Sequence, residues 1–119
     1  MAKPKAIGVS FDKVKAVALA LPEVVESTSY GTPALKVRGK LMLRLREDHE
    51  TLVIRTSWEN RERLMSIEPE VYFLTDHYRA YPWVLARLSS LAPAVLPALI
   101  ASAWREAAPK ALLKKRGGA

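Results

Sequence analysis

Apolar and polar positions change period several times along this chain, and each change marks an element. From Phe11 onward, Val14, Val17, Ala18 and Leu21 recur on one helical face, and Ser10 stands where an N-cap belongs. Pro22 ends that helix. The period then falls to two. In ALKVRG, Leu35 and Val37 point one way while Lys36 and Arg38 point the other. KLMLRLR repeats the pattern, with Leu41, Leu43 and Leu45 inward and Lys40, Met42, Arg44 and Arg46 outward. Gly39 separates the two runs as the permissive residue of a tight turn. EDHE at 47–50 reads as a further turn, and TLVIRT as a strand with Leu52 and Ile54 inward. The segment 24–30 suits an additional edge strand.

Ser57 caps a short helix, WENRERLMS, that ends before Pro69. VYFL and WVLARLSS read as strands joined through TDHYRAYP. A last helix begins between Pro93 and Pro97, with its stripe on Leu96, Leu99, Ile100, Ala103, Trp104 and Ala107, and Pro109 ends it. The expected class is α+β: a two-layer domain with an antiparallel sheet of five to six strands and three helices packed mainly on one face. The length of 119 residues suits one domain over 1–119, with 1–9 and 114–119 as flexible ends.

Composition narrows the class. Half the residues are hydrophobic, enough for a true core, and without cysteine no disulfide supports it. The apolar run AVALAL behind Lys13 and Lys15 is too short for a membrane signal, and the uncharged stretch 88–104 is broken by two prolines. A cytoplasmic protein without a membrane partner is expected. The net charge of +7 is segregated. No acid lies between Glu26 and Glu47, where Lys36, Arg38, Lys40, Arg44 and Arg46 cluster, and beyond Asp76 only Glu106 is acidic.

The chemistry-bearing residues are sparse. TDHYRAYPW carries Asp76, His77, Tyr78 and Arg79 side by side, but no G-x-S-x-G or cysteine supplies a nucleophile. The stretch reads as a corner between strands, with His77, Tyr78 and Trp83 as candidates for a ligand contact. EDHE lacks a spaced histidine partner, so no metal is expected, and the glycines form no phosphate loop. No enzyme and no cofactor are expected. The basic strands are the strongest physical signal: Lys36, Arg38, Lys40, Arg44 and Arg46, with Arg79, are candidate nucleic-acid contacts, with Met42 and Val53 interleaved. The competing reading is an ordinary solvated sheet face.

LPEVVESTSYGTPALKVRGKLMLRL, LVIRT, VYFLTDHYRAYPWVLARL and AWREAAPKAL together resemble the MmcQ/YjbR-like family of small bacterial domains, over roughly residues 11–113. The resemblance implies an antiparallel α+β domain similar to secretion-chaperone-like and CyaY-like arrangements, and a double-wing DNA-binding role assigned on shape. Its pattern falls on Glu26, Tyr30, Gly31, Pro33, Gly39, Lys40, His77 and Trp104, with no catalytic role implied for any of them. Two expectations follow. One is a non-enzymatic nucleic-acid-binding domain with the Gly39 turn as a wing; neutralising five phosphates gives a log–log salt slope of about −4.5. The other is a protein-interaction or small-ligand-binding module. A major-groove helix is not in evidence, since Glu59 and Glu62 balance the helix near 58–66.

Overall fold

The computed structural model describes residues 7–117. Helix α1 spans Phe11–Leu19, and the Ser10 hydroxyl accepts the Lys13 amide at 3.1 Å. Strands β1 (Val24–Ser29), β2 (Thr32–Val37), β3 (Lys40–Leu45) and β4 (Thr51–Arg55) follow as a meander. Helix α2 (Trp58–Ile67) is capped by Ser57, which accepts the Asn60 amide. Strands β5 (Tyr72–Phe73) and β6 (Trp83–Arg87) precede helices α3 (Leu96–Ala107) and α4 (Lys110–Gly117). The sheet order is β1-β2-β3-β4-β6-β5, and every neighbouring pair is antiparallel. This is the expected α+β class with six strands.

The main core lies between the sheet and the helices. Val14 and Ala18 of α1, Leu64 of α2, the α3 stripe and Leu112 of α4 meet Leu35, Val37, Leu43, Leu45, Leu52, Ile54, Val84 and Ala86. Trp104 is fully buried, and its indole donates to the Pro22 carbonyl at 2.9 Å, tying α3 to the end of α1. Two-residue loops with positive φ at both positions join β1 to β2 (Tyr30, Gly31) and β2 to β3 (Arg38, Gly39), as right-twisted hairpins favour.

Four expectations need correction. The alternation along β3 is broken by a bulge: Leu35 pairs Leu43, yet Lys36 pairs Leu41, which leaves Met42 as an extra residue. Met42 therefore enters the main core at 0% exposure, and Leu41 turns to the opposite face with Arg44. Secondly, that opposite face is not a bare basic surface. The connection after β5 folds across it, and Tyr78 packs on Val53 and Leu85 with Phe73, Leu74 and Trp83 around them. Thirdly, the chain after Pro109 forms α4, a fourth helix where a tail was expected from 114. Finally, Gly8 and Val9 donate to the carbonyls of Leu91 and Leu88, so this part of the first nine residues is tied down. Residues 1–6 and 118–119, expected to be flexible, lie outside the described residues.

Candidate ligand cleft

The partial cover over the second face leaves a cleft. Its main lobe, about 500 Å³, is lined by Ser29, Tyr30, Leu41, Arg44, Val53, His77, Tyr78, Tyr81 and Trp83. A smaller lobe of about 270 Å³ adjoins it and adds Arg46 and Glu47. The bulge has a direct consequence here, because it delivers both Leu41 and Arg44 to this face. The register also sets Lys36 opposite Leu41, on the same face.

Arg44 sits at the centre. Its side chain is 6% exposed. Nη1 donates to Thr32 Oγ1 at 3.1 Å, and Nη2 donates to the Tyr78 hydroxyl at 2.9 Å. The guanidinium also lies 5.1 Å from the ring centroid of Tyr30. Tyr30 occupies the left-handed region (φ 54°) at a hairpin tip and is 81% exposed. An aromatic residue there carries a backbone cost that Asn or Gly would avoid. Tyr81 is 55% exposed. Trp83 lies under the Arg55 guanidinium at 4.5 Å, and Arg55 Nε donates to the Leu41 carbonyl. Burial lowers the Arg55 pKa from its ordinary value, with Glu106 opposing.

The far wall is held by a residue that sequence reasoning missed. Arg61 of α2 is buried, and its Nη1 faces the carbonyls of Tyr78, Arg79 and Tyr81 at 3.4, 3.3 and 2.8 Å. Trp58 stacks on it at 4.8 Å. Arg61 Nε makes no hydrogen bond among the described residues; Glu62 approaches it at 3.5 Å as an ion pair. In sequence Arg61 is one charge of a balanced helix, and only its spacing of three from Trp58 hinted at a shared face. Tyr30 carried a clearer sign, the Tyr-Gly pair of a two-residue turn.

The candidate residues thus divide. Arg44, Arg46, His77, Tyr78 and Trp83 come together at the cleft. His77 is exposed, meets Tyr78 edge-on at 4.8 Å and makes no hydrogen bond among the described residues. Arg38, Lys40 and Arg79 do not join them. Arg38 forms a bidentate pair with Glu23 at 2.7 and 2.8 Å, and that hydrogen-bonded carboxylate raises its pKa. Arg79 pairs with Asp76 at 3.3 Å. Lys40 is exposed at the start of β3.

EDHE resolves into a structural turn. Burial alone would raise the Asp48 carboxyl. Hydrogen bonds from the Thr51 hydroxyl and the Glu50 and Thr51 amides, with the charge of Arg46, instead hold it below the usual range. Glu50 accepts the Ser89 amide. Among the described residues no three His, Asp or Glu side chains converge as metal ligands. No helix there is long and apolar enough to cross a membrane.

The YjbR family model matches residues 19–106, so the chain belongs to the YjbR family. It is similar to uncharacterized proteins of Mycobacterium bovis and Mycobacterium tuberculosis, at 45% identity over 51 residues. That match covers 43% of this chain and 40% of each relative's own length. The fold is similar to the crystal structure of Deinococcus radiodurans protein DR2400, of domain family DUF419, with a TM-score of 0.71. The alignment covers 95% of this chain and 91% of that one, at 19% identity. The family model fixes the family, and the solved structure supports the fold.

Proposed function

We propose that this YjbR-family domain is a non-enzymatic nucleic-acid-binding domain that grips a single strand in the cleft. The observation that carries the reading is the pairing of exposed aromatic rings, Tyr30 and Tyr81, with the buried cation Arg44 in one concavity. Bases of any sequence stack on aromatic faces while cations track phosphates, and each stacked base contributes about 1–3 kcal/mol. The outer hairpin is a poorer candidate for a duplex wing, since Arg38 is engaged by Glu23. Such a partner suits a cytoplasmic location. With Lys36, Arg44 and Arg46 as the phosphate contacts, the single-strand salt slope falls to about −2, shallower than five contacts would give.

Fluorescence anisotropy with labelled single-stranded and duplex DNA, at low and physiological salt, tests this. Single strands should bind more tightly than duplex, and Tyr81→Ala should weaken them by about tenfold. Tighter duplex binding that ignores Tyr81→Ala would move the interface away from the cleft. A second reading, a small-ligand-binding module, is favoured by one fact. The main lobe's volume of about 500 Å³ is that of a small-molecule site.

A further inference from the structure

The smaller lobe has a character of its own. A guanidinium carries five N–H donors. Those that Arg44 uses go to Thr32 Oγ1, the Leu45 carbonyl and the Tyr78 hydroxyl, all through Nη1 and Nη2. Nε makes no hydrogen bond among the described residues and, unlike Arg61 Nε, is not sealed from solvent, so it stays within reach of an incoming ligand. A largely buried cation is costly, and an anion placed against it relieves that cost. Arg46 lines the same lobe, and beyond the pull of its charge on Asp48 its side chain makes no hydrogen bond or ion pair among the described residues. Glu47 is the one carboxylate lining it among the described residues. Its pairing with Arg44 is long, 3.8 Å, and its side chain is 64% exposed, so an incoming anion can displace it.

Two guanidinium groups, the His77 imidazole and the Tyr78 hydroxyl therefore face a single rim carboxylate in about 270 Å³. Tyr30, Arg44, His77 and Tyr78 line both lobes, so cationic and aromatic halves are continuous. We propose that the small lobe is a phosphate-monoester subsite, and that the domain seats the phosphorylated end of a single strand. The terminal phosphate lies against Arg44, Arg46 and His77, and the terminal base lies against Tyr81 and Trp83. A monoester brings three terminal oxygens and close to two charges at neutral pH. An internal diester brings two such oxygens and one charge, a poorer match to two forked donors. This inference rests on the single-strand reading above.

Competition anisotropy separates the two. The tracer is a labelled hexathymidine. The competitors are hexathymidine with a 5′-phosphate, with a 3′-phosphate and with neither, and free thymidine 5′-monophosphate. One phosphorylated hexamer should compete about tenfold better than the unphosphorylated one. Arg46→Gln should erase that advantage, costing the phosphorylated hexamer about tenfold more affinity than the unphosphorylated one. Equal competition by all three hexamers overturns the subsite and leaves the single-strand reading standing. A tracer that fails to bind overturns both, and a tryptophan fluorescence change with the monophosphate alone then makes the ligand a free nucleotide.

Discussion

Arg44→Met separates a residue kept for its ligand from one kept for the fold. The substitution removes two good hydrogen bonds, to Thr32 Oγ1 at 3.1 Å and to the Tyr78 hydroxyl at 2.9 Å. Bonds to a charged group contribute about 1.5–3 kcal/mol each, so the gross loss is about 3–6 kcal/mol. Against this, burying a guanidinium costs several kcal/mol, which the methionine thioether does not incur. Neither former partner is stranded. The Thr32 hydroxyl still donates to the Ser29 carbonyl at 2.8 Å, and the Tyr78 side chain borders the cleft, where water can reach it. The two sides nearly cancel, and the net change in stability should be about 1 kcal/mol in either direction. Urea unfolding followed by circular dichroism measures it, with an unchanged m-value confirming that the same transition is compared. Strand affinity should fall sharply in the same variant. A stability loss above about 3 kcal/mol would refute the reasoning, because a broken buried pair costs about that much. Arg44 would then be a structural anchor.

Other variants test other parts of the account. Met42→Ala should cost about 2–5 kcal/mol by thermal or urea denaturation, and Leu41→Ala clearly less; the reverse order would deny the bulge. Arg38→Gln should leave strand affinity unchanged in anisotropy, since Glu23 already holds that guanidinium, whereas a loss exceeding that of Arg46→Gln would restore the hairpin as the interface. Asp48 has a depressed pKa in the fold, so its contribution is present above the unfolded value of about 3.9 and is lost as pH falls through the folded value. Urea midpoints of the parent and Asp48→Asn should therefore differ at neutral pH and converge in acid below about pH 4. A gap that persists undiminished in acid would assign the effect to something other than that carboxylate.

Much of the scaffold was legible because its signals are one-sided. The α3 stripe from Leu96 to Ala107 is buried residue for residue, since a helix against one core keeps a single period. Ser10 and Ser57 cap as expected, because their hydroxyls satisfy amides within three residues and need no distant partner. The site was less legible. A bulge at Met42 has no glycine to announce it, and it reverses the sense of Leu41. Strict alternation consequently predicted a solvated Arg44 among four like neighbours. The sequence showed the charge of Arg44, but its burial depends on Tyr78, thirty-four positions away. TDHYRAYPW does form the corner between β5 and β6, yet its function depends on what it covers. Tyr78 seals Val53 and Leu85, leaving His77 and Tyr81 at the cleft. Arg61 went unseen because its three carbonyl acceptors lie seventeen to twenty residues ahead.

The central claim is that the ligand enters the cleft, and the indole N–H signals of Trp58, Trp83 and Trp104 test it most directly. Trp83 lines the cleft, Trp58 stacks on Arg61 behind it, and Trp104 is buried in the opposite layer. In a nitrogen–proton correlation spectrum titrated with hexathymidine, the Trp83 signal should move in proportion to saturation, with the Tyr30, His77 and Tyr81 amides, while Trp104 stays fixed. Shifts confined to the Arg38–Lys40 hairpin, with Trp83 unmoved, would contradict the account and return the binding surface to the outer strands.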